Sequence, residues 1–270
     1  MRLFVSALRK LAPRMATLFT FGLLAGMLVL IDIAVVATRG VVEGGPSRSV
    51  NALSLITFPG AYDQILSFIL GLGGLFAVTY GAAIAGSEWT WGTLKTAVAR
   101  GESRSRYLAA TFAAVGIVLA VGLLFAAVVG VIAAAISAMV AGIGISGIGD
   151  RAALEALPAH FLRGWVAITE TAAIGFAVAT LARSQLAGIG VGIALYFGET
   201  FAGLFLPDVV KYLPFHLATA VVGGSTGFAP VPSSAVAAMS TDTALILVAV
   251  WLLGSLVVAA GFGERAEITG

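Results

Sequence analysis

The chain has 270 residues, 60% hydrophobic and only 10% charged, with a mean hydropathy of +1.06. Soluble domains carry roughly 25% charged residues, so a globule of this length could not be covered by a polar surface, and lipid must be part of its solvent. The net charge is +2, cysteine is absent and only His160 and His216 occur; disulfides, thiolate metal sites and cysteine nucleophiles are excluded, and a multi-histidine metal centre is disfavoured.

The segment Arg2–Arg14 opens the chain. Phe4, Leu8 and Leu11 recur at helical spacing while Arg9 and Lys10 point elsewhere, which predicts an amphipathic helix lying in the membrane interface over residues 1–14, broken by Pro13. Six uncharged or nearly uncharged apolar runs follow, each long enough for the roughly 30 Å of hydrocarbon that about 20 helical residues span. They are Ala16–Ala37, Ile65–Gly86, Tyr107–Val140, Gly164–Ala182, Leu186–Leu206 and Thr243–Phe262. Continuous runs predict helices, because backbone polar groups in lipid must be satisfied within the segment; a barrel would show short alternating strands. The first run is too long for the apolar region of a signal peptide and lacks a small-residue cleavage site, so it is read as a span.

The expected architecture is therefore all-α: a polytopic membrane protein forming a single transmembrane domain over residues 1–270. The third run ends near Val140, before the Gly-rich turn Gly142–Gly149. Arg183, Ser184 and Gln185 read as a tight hairpin between spans four and five. The connection Arg39–Asp63 reads as irregular, with Gly44, Gly45, Pro46 and Pro59. The segment Pro207–Asp242 is apolar for an aqueous loop, which suggests short helices lying on the membrane surface. Six spans place both termini on one side. Ten of the fifteen basic residues fall on that side, which predicts that it is cytoplasmic.

The stretch between spans two and three is the most informative. It reads Gly86-Ser87-Glu88-Trp89-Thr90-Trp91-Gly92-Thr93-Leu94-Lys95, then Arg100-Gly101-Glu102-Ser103-Arg104-Ser105-Arg106. Trp89 and Trp91 suit a membrane–water interface. Gly92 and Gly101 bracket a short helix over Thr93–Arg100, and Ser103 can start the next span. The pattern Glu-aromatic-x-x-Gly-Thr-Leu-Lys, followed by Gly-x-Ser-Arg before a new span, resembles permease subunits of ATP-binding-cassette (ABC) exporters of the type-two export class. The layout of the whole chain is similar too. The resemblance implies that the short segment is a coupling helix docking on a separate ATPase subunit. The residues matching that region are Glu88, Gly92, Thr93, Leu94, Lys95, Arg100, Gly101, Ser103 and Arg104. It also implies a transporter of two permeases, a homodimer or a pair of homologues, with two ATPase subunits, in the plasma membrane of a prokaryote, exporting an amphiphile such as a drug, lipid or peptide. The chain departs from many relatives in lacking a proline after the small helix. It has no Gly-x-x-x-x-Gly-Lys-Ser/Thr phosphate loop, so ATP and magnesium would be bound by the partner; no cofactor, metal or catalytic residue is expected in this chain, and no nucleic acid.

Asp32, Glu170 and Glu199 fall inside predicted spans. Intramembrane carboxylates are expensive and serve as functional candidates by default. Asp32 is expected near Arg39 and water; Glu170 and Glu199 either line a translocation path or sit protonated at helix interfaces. They sustain the alternative of an ion-coupled secondary transporter or channel. Gly22-x-x-x-Gly26 and Gly188-x-x-x-Gly192 allow close helix approach. No Gly-x-Ser-x-Gly elbow accompanies the serines, and no acid, histidine and serine constellation supports a lipid-modifying enzyme.

Overall fold

The structure is a computed structural model that describes residues 2–38, 41–44, 48–221 and 239–265. The ten helices among these residues are α1 (Arg2–Leu11), α2 (Met15–Ala37), α3 (Gly60–Thr90), α4 (Thr93–Ala99), α5 (Arg104–Val140), α6 (Arg151–Ala182), α7 (Gln185–Ala202), α8 (Pro207–Val210), α9 (Pro214–Ala220) and α10 (Thr241–Arg265). Five of them, α2, α3, α5, α6 and α10, are long and apolar enough to cross a membrane. The sixth expected span is a helix but a shorter one: α7 has 18 residues and stops at Ala202, short of Leu206. At 1.5 Å per residue it reaches about 27 Å, and it carries Glu199 near its end. Beyond it, Gly203 and Pro207 redirect the chain into the short helices α8 and α9.

Three helix ends differ from the hydropathy reading. Helix α3 extends beyond its apolar run at both ends, and α6 begins at Arg151, well before Gly164. Charge ends a hydropathy run without ending a helix. In α6 the Asp150 carboxylate accepts from Ala153 N at 2.9 Å and caps the first turn. Arg151 and Glu155 pair one turn apart at 2.7 Å, and Pro158 is carried inside the helix. The connection after α2 also holds an antiparallel strand pair, β1 (Val41–Gly44) and β2 (Arg48–Asn51), where irregular chain was expected. Arg39, Gly45, Pro46, the Gly223–Gly227 cluster, Pro230 and Pro232 lie outside the described residues.

The turns follow their residues. Gly92 at φ 67° and Gly101 at φ 86° take the left-handed conformation that frees α4 from the helices on either side. Between α6 and α7, Arg183 is left-handed at φ 50° and Ser184 caps α7 through Ala187 N, giving the expected tight hairpin.

Helices α3 and α6 form the centre. In each, 72% of the most apolar stretch is buried, against 28% in α2 and 11% in α10. Their approach is backbone to backbone: a Cβ at Gly81 would overlap the Ala172 carbonyl, and one at Gly175 would overlap the Val78 carbonyl. Small residues permit this close contact, the usual source of helix affinity where lipid removes the hydrophobic driving force. Phe112 and Phe176 meet edge to face at 5.3 Å between α5 and α6. Helices α2, α5, α7, α9 and α10 pack around the pair.

Candidate functional site

Two buried glutamates lie far apart along the bundle and are treated in opposite ways. Glu88 is in the last turn of α3 and is 1% exposed. Lys10 Nζ of α1 donates to its Oε1 at 2.6 Å, and the Tyr107 hydroxyl of α5 donates to its Oε2 at 2.6 Å. The Thr93 hydroxyl, at the start of α4, donates to the same Oε2. A single carboxylate thus joins four helices. Beside it, Arg14 donates to Ser87 Oγ at 3.0 Å and lies over the Trp91 ring at 4.6 Å. Arg183, from the α6–α7 turn, lies 5.8 Å from the ring centroids of both Trp89 and Phe262.

The residues singled out around α4 separate into two sets. Glu88 and Leu94 are buried, and Thr93 is half-buried; these fix the small helix to its supports. Lys95, Arg100 and Gly101 are exposed, together with Thr96 and Ala99, and form its outer face. Gly92 supplies the turn. Ser103 precedes α5 at its N-cap position in extended conformation, with no side-chain cap bond. Arg104 turns to the other end of the chain, donating to the Glu264 carbonyl at 3.0 Å, while Ser105 Oγ donates to Glu264 Oε1 at 2.6 Å. Sequence reasoning did not find Lys10, Arg14 or Tyr107. Lys10 was expected off the apolar face of Phe4, Leu8 and Leu11, and the long-range packing of α1 on α5 brings it to Glu88.

Glu170 lies in α6 with no exposed surface, and its surroundings offer little. Its Oε2 accepts a long bond from the Thr171 hydroxyl at 3.4 Å; its Oε1 and the neighbouring Thr169 hydroxyl have no partner among the described residues. Glu199 lies on α7, which packs against α6. Glu199 itself is well placed, accepting from the backbone N–H of Phe215 at 3.2 Å and from that of His216, so it ties α7 to the start of α9. Tyr196 completes the cluster: its hydroxyl donates to the Gly71 carbonyl at 2.8 Å and its ring meets Phe215 at 5.3 Å. Burial lowers the pKa of His216, which lies on α9 outside the long helices.

Asp32 does not join either group. It is 8% exposed on α2, and Arg39, near which it was expected, lies outside the described residues. Gly188 and Gly192 face inward onto Ala179 and Val78, so they serve packing within the chain, whereas Gly22 and Gly26 face open space. Nδ1 of His160 lies 3.6 Å from Asp63 Oδ1.

Long apolar helices packed through small residues, with carboxylates buried among them, define a polytopic helical membrane protein. The chain belongs to the family described as protein of unknown function (DUF2705), which it matches over residues 46–262. Among curated proteins, none matches it.

Proposed function

We propose that this chain is the permease subunit of an ABC exporter of the type-two class, with α2, α3, α5, α6, α7 and α10 as its six spans and α4 as the coupling helix. The observation that carries this reading is the Glu88 junction. It fastens α4 to α3, α5 and the amphipathic α1 through one buried carboxylate, while leaving Lys95, Thr96, Ala99 and Arg100 on an exposed face. A partner pushing on that face would move two long helices together. In this reading both termini are cytoplasmic, the membrane is the plasma membrane of a prokaryote, and the active transporter contains a second permease copy or homologue. A separate ATPase subunit binds ATP and magnesium. This chain contributes the path for an amphiphilic substrate and no ATP chemistry of its own.

The test is affinity purification from the native membrane in mild detergent, followed by an ATPase assay. An ATPase should co-purify with the wild-type chain and be lost from a Lys95→Glu/Arg100→Glu variant that keeps its melting temperature. A chain that purifies without ATPase, or a variant that retains it, sinks the reading.

One observation favours a second reading, an ion-coupled secondary transporter or channel. Glu170 keeps an unpartnered oxygen deep in the bundle, as a site for a proton or small cation would. Transport that survives removal of ATP but fails on Glu170→Gln would select it.

A further inference from the structure

At the end of α3 away from Glu88, a cavity of about 760 Å³ opens laterally between α3, α5 and α6. Leu66, Ala127, Val131, Leu157 and Phe161 are among the residues that line it. Its wall is almost wholly apolar. Among the described residues the one hydroxyl in that wall belongs to Tyr62 and is already donated to the Ile148 carbonyl at 2.7 Å. The groove therefore offers no hydrogen bond and suits a hydrocarbon chain. Its volume is within the range of sites that enclose a small ligand.

A second cavity of about 180 Å³ shares Tyr62 and Leu157 with the groove and is lined also by Pro59, Asp63 and His160. Asp63 lies in the first turn of α3, with its side chain 69% exposed, and is the one carboxylate among the described residues of that lining. The His160 ring stands 3.6 Å from it, too far for a strong hydrogen bond, and leaves the carboxylate room for another cation. An apolar slot and an acidic annex thus adjoin across Tyr62 and Leu157, with the Asp63 carboxylate exposed beside them.

We infer that this slot and annex form a binding site for a cationic amphiphile, with its alkyl chain between α5 and α6 and its ammonium group beside Asp63. An anionic amphiphile would bring a like charge against the Asp63 carboxylate. The site does not depend on the export reading, since it needs neither ATP nor a partner subunit to fill.

The test uses a long-chain alkyl ammonium bearing a photoactivatable diazirine on its chain, added below its micelle concentration to the purified full chain in nanodiscs of zwitterionic lipid. Labelled residues are mapped by mass spectrometry. Labelling should saturate and concentrate on α5 and α6 around Val131 and Phe161. An alkyl sulfate of equal length should compete about fivefold less well, and Asp63→Asn should weaken labelling roughly fivefold, the size of one solvent-screened charge pair. Ala127→Trp, which fills the slot, should reduce it at least about tenfold, the loss of two or more buried methylenes. Should the tryptophan variant not fold, Asp63→Asn decides alone, because that side chain is exposed. Equal competition by the sulfate, no effect of Asp63→Asn, or label spread evenly over α2, α5 and α10 would overturn the site; so would a cross-linked dimer with this groove at its contact. The association of an ATPase is read in a separate experiment, so either proposal can fail without the other.

Discussion

Glu88 and Glu170 are both buried acids in long helices, and their surroundings differ in kind. Glu88 has a lysine and two hydroxyl donors, so the cost of burying its charge is offset on both oxygens. Glu170 has one long bond and an unpartnered oxygen. The first arrangement is a fixed joint, in which both carboxylate oxygens accept hydrogen bonds. The second leaves hydrogen-bonding capacity unused inside the bundle, which a joint has no need to do.

The largest effect should come from breaking the joint. Glu88→Ala removes the partner of Lys10, Tyr107 and Thr93 together and should cost about 3 kcal/mol, with Lys10 softening the loss because it keeps some exposure. The apparent melting temperature in detergent measures it, and an unchanged value would show that the junction is not structural. Next is Glu199→Ala, which frees the first turn of α9 from α7 and should cost about 1–2 kcal/mol. Faster hydrogen exchange at Phe215 and His216 is its local signature.

Glu170→Leu should do the reverse of Glu88→Ala. Replacing an unsatisfied buried acid by an apolar side chain of similar size should leave stability unchanged or raise it by about 1 kcal/mol. A large loss there would mean that Glu170 is as firmly held as Glu88, and the contrast would collapse.

The smallest effect is a pH dependence. Burial lowers the His216 pKa below its ordinary value of 6.5, so the unfolded chain takes up the proton first as pH falls. Stability present above pH 6.5 is then progressively lost on acidification. His216→Gln should flatten the melting-temperature profile in that window.

Hydropathy and glycine placement made much of the fold legible. The short helix between Gly92 and Gly101 was readable because both glycines adopt positive φ. The hairpin at Arg183 was readable because three residues cannot do otherwise between two apolar runs. What the sequence concealed was distance along the chain. Lys10 and Glu88 are separated by 78 residues, and no local pattern announces that a basic residue at an amphipathic helix is the counter-ion of an acid in another. The early start of α6 was hidden for a different reason: hydropathy reports lipid, whereas caps and i,i+4 pairs determine the helix. The small residues of α3 and α6 were visible as composition, but which of them touch became evident only from the helix crossing. Gly188 and Gly192 carry the same spacing as Gly22 and Gly26 and face the opposite way.

The glycine contacts between α3 and α6 bear on how the protein is made. Gly81 and Gly175 bring two backbones together with no side chain between them, so neither helix can find a substitute partner among bulkier neighbours. Helix α3 is finished at Thr90 and α6 only at Ala182. At ribosomal speed the interval is on the order of ten seconds. Throughout it the most heavily buried surface of α3 must wait in the bilayer unmatched, with α2 and the growing α5 as its only companions. Biogenesis of this chain thus contains an interval in which α3 stands without α6, and a premature stop before α6 would leave α3 without its principal contact.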